Sequence, residues 1–174
     1  VEQVKQLLEA GTNVHFRGDD EKTPLDYASG QGHPEVVKRL LNAGARIRLK
    51  TLKLALDNEH PSIVKQLLTA EPTSDIQLSF AAYRGNLRTV KQLLETGTNV
   101  NFKALDGSTP LHQATTDHSR KNVEVVEALL KAGANPNLRN EEGDSPLHEL
   151  IHFCVSCEDV NLRLKMLETL LKAS

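Results

Sequence analysis

One helix pair, written several times over, limits what this chain can fold into. In residues 107–137 the run Thr109-Pro110-Leu111-His112-Gln113-Ala114 opens a short helix. Thr109 is suited to cap it, and Pro110 at the first helical position gives up only an amide that would have no partner. A second helix follows in which Val125, Val126, Leu129 and Leu130 fall at i, i+1, i+4 and i+5, all on one face. Gly133 supplies the left-handed residue that ends it. Such a pair cannot bury its apolar face alone. It needs copies of itself as neighbours.

The copies are present. Thr23-Pro24-Leu25-Asp26-Tyr27-Ala28 and Ser145-Pro146-Leu147-His148-Glu149-Leu150 repeat the opening. The apolar doublets of the second helix recur as Val4 with Leu7-Leu8, Val36-Val37 with Leu40-Leu41, Ile63-Val64 with Leu67-Leu68, Val90 with Leu93-Leu94, and Met166-Leu167 with Leu170-Leu171. This pattern resembles the ankyrin repeat family, whose signature is a T-P-L-H-x-A opening at a period near 33 residues. The resemblance covers nearly the whole chain. It implies an all-α solenoid of helix-turn-helix units joined by projecting hairpin fingers, with residues 1–174 forming one domain.

Taken in order, residues 1–12 hold a second helix without its first, so the sequence is expected to begin inside a repeat. Full units follow at about 13–44, 45–70, 71–98, 99–134 and 135–174. The spacing from Leu7 to Leu25 is 18 residues, as it is from Leu129 to Leu147. It falls to 12 between Leu40 and Leu52 and to 11 between Leu67 and Leu78. The two central hairpins are therefore expected to be cut down to plain loops. The fourth unit carries three extra residues within Asp117-His118-Ser119-Arg120-Lys121, and the fifth carries eight around Phe153 to Leu162.

Composition excludes several classes. A formal net charge of −2 gives no basis for nucleic-acid binding by bulk electrostatics. No apolar run approaches the ~18 residues of a membrane-spanning helix, and Val1 opens nothing like a signal peptide. Two cysteines imply no disulfide framework, so a reducing, cytoplasmic compartment is expected. That compartment becomes a host cytosol if the chain belongs to a secreted bacterial protein.

The one constellation with metal-ligand character is His148, His152, Cys154 and Cys157. One C-x2-C without a second such pair is a weak signal, and His148 stands at the motif histidine, which in relatives ties neighbouring loops. The reading is structural, with no metal and no cofactor. A catalytic Cys-His pair lacks an orienting third residue, and no phosphate-cradling glycine loop or paired-carboxylate motif occurs. Arg46-Ile47-Arg48-Leu49-Lys50-Thr51-Leu52-Lys53 reads as a shortened connection and a first helix, with Leu49, Leu52, Ala55 and Leu56 inward and the cations solvated. Asn101 and Asn137 occupy a hairpin position that is hydroxylated in some eukaryotic relatives.

The resemblance implies a monomeric, non-catalytic module that binds another protein or peptide through its concave face. In the family, partner contacts gather at fingertips and at the ends of the first helices. Carried onto this sequence, those positions are Asp19, Asp20, Lys22, Gln31, Asp57, Asn58, Tyr83, Arg84, Leu105, Asp106, Ser108, Thr116, Asp117, Glu141, Glu142, Asp144, His152 and Phe153. Tyr83 and Arg84 are neighbours of the types enriched in interface hot spots. The acidic fingertips favour basic partners. The alternative is that the chain is the targeting part of a larger enzyme or bacterial effector.

Overall fold

A computed structural model of the protein describes residues 2–70, 73–116, 120–152 and 160–173. Among them the regular elements are helices, and they divide into two compact units, Val1–Pro72 and Thr73–Ser174.

The first unit holds α1 (Glu2–Glu9), α2 (Pro24–Gly30), α3 (Pro34–Asn42), α4 (Leu49–Asp57) and α5 (Pro61–Thr69). First helices pack on first helices, α2 on α4, and second helices on second helices, α3 on α5. Leu25, Val37, Leu40, Leu52, Ala55, Ile63 and Leu67 are buried between them.

The second unit holds α6 (Ser74–Tyr83), α7 (Leu87–Glu95), α8 (Pro110–Thr115), α9 (Arg120–Lys131), α10 (Pro146–His152) and α11 (Val160–Ala173). Here α6, α8 and α10 form the row of first helices and α7, α9 and α11 the row of second helices. One continuous core runs from Leu78 through Leu111, Val126, Leu129 and Leu150 to Leu170. Of the apolar doublets that revealed the repeat, Val90, Val125, Val126, Leu129, Met166 and Leu170 are buried in it.

The connection between α3 and α4 is a plain loop without a finger, as the spacing predicts. The first helices of the two central repeats are also longer at their starts, α4 beginning at Leu49 and α6 at Ser74. They run to 9 and 10 residues, where α2, α8 and α10 have 7, 6 and 7. Without a Thr-Pro to fix the helix start, the helix extends backwards into part of the space a finger would have used.

The inter-helix turns share one bond. The amides of His33, His60 and Asn86 donate to the carbonyls of Ala28, Ala55 and Ala81 at 3.0, 2.8 and 2.9 Å. In the fourth repeat the three extra residues carry α9 back past that position, so the equivalent backbone amide lies inside a helix. The side chain replaces it: Asn122, fully buried, donates Nδ2–H to the Ala114 carbonyl at 3.1 Å.

Candidate functional site

Three fingers project before α2, α8 and α10, and one bond closes each. Gly18 donates to the Lys22 carbonyl at 3.1 Å, Ala104 to Ser108 at 2.9 Å, and Asn140 to Asp144 at 2.9 Å. The turn then needs a left-handed residue three positions after the donor. Gly107 (φ +73°) and Gly143 (φ +85°) supply it in two fingers, and Glu21 (φ +59°) must adopt it in the first.

Finger one carries its own charge network. The Tyr27 hydroxyl donates to Asp20 Oδ2 at 2.8 Å, Lys22 Nζ sits 3.0 Å from the same oxygen, and the Lys22 ammonium lies 5.4 Å from the centre of the Tyr27 ring. The Lys22 hydrogen bond is the main cause that holds the Asp20 carboxyl at about 2, and Asp20 in turn raises both Lys22 and Tyr27. Asp20 and Lys22 thus form a ready-made ion pair at the tip, while Asp19 is exposed beside them.

Below this finger lies a tie that the sequence reading missed. Asp26 stands where the motif has histidine and is fully buried. Its Oδ2 accepts the Thr23 amide at 2.8 Å and the Thr23 hydroxyl at 2.9 Å, its Oδ1 accepts the Thr51 hydroxyl at 2.5 Å, and Arg48 Nη2 forms an ion pair with Oδ2. Arg48 also donates to the Glu21 carbonyl at 3.2 Å, and Lys50 Nζ to the Asp20 carbonyl at 3.2 Å. The expectation that the cations of residues 46–53 are solvated is therefore corrected for Arg48, while Arg46 and Lys50 are exposed as expected. Losing the finger brings Arg48 to the start of α4, within reach of a buried carboxylate. An acid at the motif's fourth position, followed by arginine in a shortened connection, was the available signal.

In the fourth repeat His112 does the corresponding work with opposite polarity. The Thr109 amide donates to Nδ1 at 3.1 Å, so Nδ1 carries the lone pair and the proton sits on Nε2, which donates to the Asp144 carbonyl at 3.0 Å. Burial pushes the His112 imidazole below its ordinary value and favours this neutral form. Asn101 makes a second tie, donating to the Gly133 carbonyl at 3.1 Å and accepting the Asn135 amide at 2.8 Å.

Fingers four and five touch. The Glu141 amide donates to the Asp106 carbonyl at 3.0 Å. Gly107 lies so close that a Cβ there would stand 2.9 Å from the Glu141 nitrogen and 3.0 Å from the Asn140 Cα. The tips carry exposed Leu105, Asp106, Glu141 and Glu142, with Leu105 at 60% exposure. Asp106 Oδ1 accepts the Ser108 amide at 3.0 Å, and Asn140 Oδ1 accepts the amides of Glu142 at 3.0 Å and Asp144 at 2.9 Å. Ser108, only 5% exposed, has little surface to offer, and Asp144 is half-buried.

At the ends of the first helices, Gln31, Asp57, Asn58, Arg84 and His152 are exposed and Tyr83 and Thr116 half-buried. Asn58 Nδ2 donates to the Leu54 carbonyl at 2.8 Å and the Thr116 hydroxyl to the Gln113 carbonyl at 2.9 Å. Asp117 and Phe153 lie outside the described residues, as do Cys154 and Cys157 of the metal-ligand constellation. Its remaining members differ: His148 Nδ1 is held by the Ser145 amide at 3.3 Å and lies 2.8 Å from the Ser145 hydroxyl, while His152 ends α10. No group of three or more His, Cys, Asp or Glu among the described residues is placed to hold a metal ion. None of the described helices is long and apolar enough to cross a membrane. A shallow groove of about 590 Å³ between α7 and α9, lined by Leu87, Leu94 and Ala128 with Lys91, Glu95 and Glu127, contains none of the predicted contact residues.

Stacked helix pairs, fingers closed by one shared bond, and side chains tying neighbouring repeats within each unit define a protein of tandem helical repeats. The chain belongs to the ankyrin repeat family: the family model, described as ankyrin repeats (3 copies), matches residues 1–79 and again 78–173. It is 30% identical over 116 residues to the ankyrin repeat protein FPV031 of fowlpox virus, covering 66% of this chain and 28% of the relative. With FPV244 of the same virus it shares 33% identity over 119 residues, covering 63% of this chain and 18% of the relative. A Rickettsia bellii ankyrin repeat protein is 26% identical over 166 residues, covering 70% and 24%. The chain thus spans less than a third of the length of these relatives. Ankyrin repeats mediate protein–protein interaction, and the family is typically non-catalytic.

Proposed function

We propose that this chain is a monomeric protein-binding module, without catalysis of its own, that engages a protein or peptide through its fingertips and the ends of its first helices. The family resemblance implies that these positions form a concave face. The observation that carries the reading is the pair of joined fingers. Their backbones are bonded through Glu141 and Asp106, and Gly107 is packed against the neighbouring tip. Leu105, Asp106, Glu141 and Glu142 are therefore presented on a surface that is already ordered, so a partner meets little entropic cost on binding. An exposed leucine among three carboxylates suits an apolar side chain flanked by lysine or arginine.

A displayed random-peptide library, panned against the chain, tests this. Selected peptides should be basic with an apolar residue and should lose at least tenfold in affinity to Leu105→Asp. Peptides indifferent to Leu105→Asp but sensitive to Lys91→Glu in the α7–α9 groove would refute the reading.

A second reading rests on length. Because the chain spans 18 to 28% of its relatives, it also suits the targeting part of a larger enzyme or bacterial effector working in a host cytosol. Sequencing the native reading frame tests this directly: a catalytic domain in the same frame supports it, and repeats alone count against it.

A further inference from the structure

Finger one borders a space that, beside finger four, is filled by finger five. Counting 86 residues on, Phe16, Arg17 and Asp20 correspond to Phe102, Lys103 and Asp106. In the fourth repeat the Asp106 carbonyl accepts the Glu141 amide at 3.0 Å, Lys103 Nζ donates to the Arg139 carbonyl at 3.0 Å, and Phe102 is half-buried. What covers that side of finger four is thus an extended stretch of chain. The connection from α3 to α4, residues 43–48, is too short to supply one. Phe16 is left 65% exposed, and Arg17 turns instead to Glu21 of its own finger at 2.9 Å.

Cations stand where the missing finger would bring backbone amides. Lys50 Nζ reaches the Asp20 carbonyl and Arg48 Nη2 the Glu21 carbonyl, each at 3.2 Å. An amide is used up by one acceptor, whereas an ammonium holding one carbonyl keeps further N–H donors for another. Arg46 is exposed and has no partner among the described residues. Charge on this side is opposite to that of the joined fingers. Residues 15–26 and 46–53 carry six cations against four carboxylates, while residues 101–112 and 135–144 carry two against four.

We propose that the space beside Phe16 is a second docking site, separate from the joined fingers, which takes an extended acidic segment of a partner protein. An apolar side chain of that segment rests on Phe16, and its carboxylates pair with Lys50 and Arg46. The equivalent side of finger four shows that an extended chain fits against such a finger, and the excess of cations selects an acidic one. A nucleic-acid strand suits the site less well, because Asp19 and Glu21 are exposed on the same finger and would oppose its phosphates.

To isolate this site, a displayed random-peptide library is panned against the full chain carrying Leu105→Asp, which disables the joined fingers. The expected peptides are acidic with one apolar residue. Once synthesised, they should bind at least ~tenfold more weakly when Phe16→Ala or Arg46→Glu is added. Both side chains are exposed, so neither change should move the melting midpoint by more than about 1 °C. No enrichment, enrichment of basic peptides alone, or acidic peptides indifferent to both substitutions would overturn the proposal. None of these outcomes touches the reading of fingers four and five, which is tested on the chain with Leu105 intact. Single-stranded oligothymidylate that binds more tightly than the selected peptide, and is lost to Arg46→Glu, would overturn it too by giving the face to nucleic acid.

Discussion

Replacing Arg48 by methionine asks how much of the first unit rests on one buried charge pair. The Asp26 carboxylate is fully buried, and the Arg48 side chain is only 13% exposed. Removing one partner of such a pair costs about 3–5 kcal/mol, because the other charge stays buried without compensation. Two features lower that figure here. Asp26 keeps three neutral donors, the Thr23 amide and hydroxyl and the Thr51 hydroxyl. Arg48 Nε has no hydrogen-bond partner, so its removal returns about 1 kcal/mol of desolvation penalty. Arg48→Met should therefore destabilise by ~2–3 kcal/mol, and Asp26→Asn by about 2 kcal/mol through the stranded guanidinium. The double variant replaces an ion pair with neutral and apolar groups, which is often close to neutral, so it should fall short of the sum of the singles by about 2 kcal/mol or more. Denaturation followed by circular dichroism, with amide exchange in α2 and α4, measures all three. Additivity of the singles within ~0.5 kcal/mol would show that the pair is not coupled and would refute the argument.

The left-handed positions give a paired prediction. Glu21→Gly and Glu59→Gly, at φ +59° and +60°, should each stabilise by roughly 0.5–1 kcal/mol as strain of ~1–2 kcal/mol outweighs glycine's chain entropy, whereas Gly107→Ala should cost at least ~1 kcal/mol more than Gly143→Ala. Only at Gly107 would the new Cβ meet backbone, so equal melting midpoints for those two variants would sink the steric account. For pH, the Asp20 carboxyl is depressed when folded, so its contribution is complete above the unfolded value of about 4 and is lost as pH falls through about 2. Carbon NMR of the carboxyl should show a midpoint near 2, and a midpoint near 4 would dissolve the Lys22 pairing. The His112 imidazole is also depressed, so its stabilisation is complete above about 6.5 and declines as pH falls below that; a measured midpoint at or above 6.5 would contradict its neutral, buried role. Finally, Tyr83→Ala with Arg84→Ala should weaken a selected partner by at least ~2 kcal/mol if they anchor it, with the far-ultraviolet spectrum unchanged; full retained affinity moves the contact to the acidic fingertips.

The repeat architecture was written in the chain because its signals are local and periodic. Thr109-Pro110 fixes a helix start wherever it falls, the doublets at i, i+1, i+4 and i+5 mark one buried face, and counting between leucines located the missing fingers. Six or seven absent residues leave no room for a hairpin, whatever packs around them. Where the helices begin once a finger is gone was not legible, because the start of α4 at Leu49 depends on what the preceding turn can pair with. The tertiary structure alone decided which charges are buried. Arg48 and Asp26 are 22 residues apart, and only the stacking of α4 on α2 makes them partners. Nor does sequence distinguish Gly107 from Gly143, since both turns need a left-handed residue and only one has another finger against it. Periodicity is a property of neighbours along the chain and survives in the sequence; close approach is a property of neighbours in space and does not.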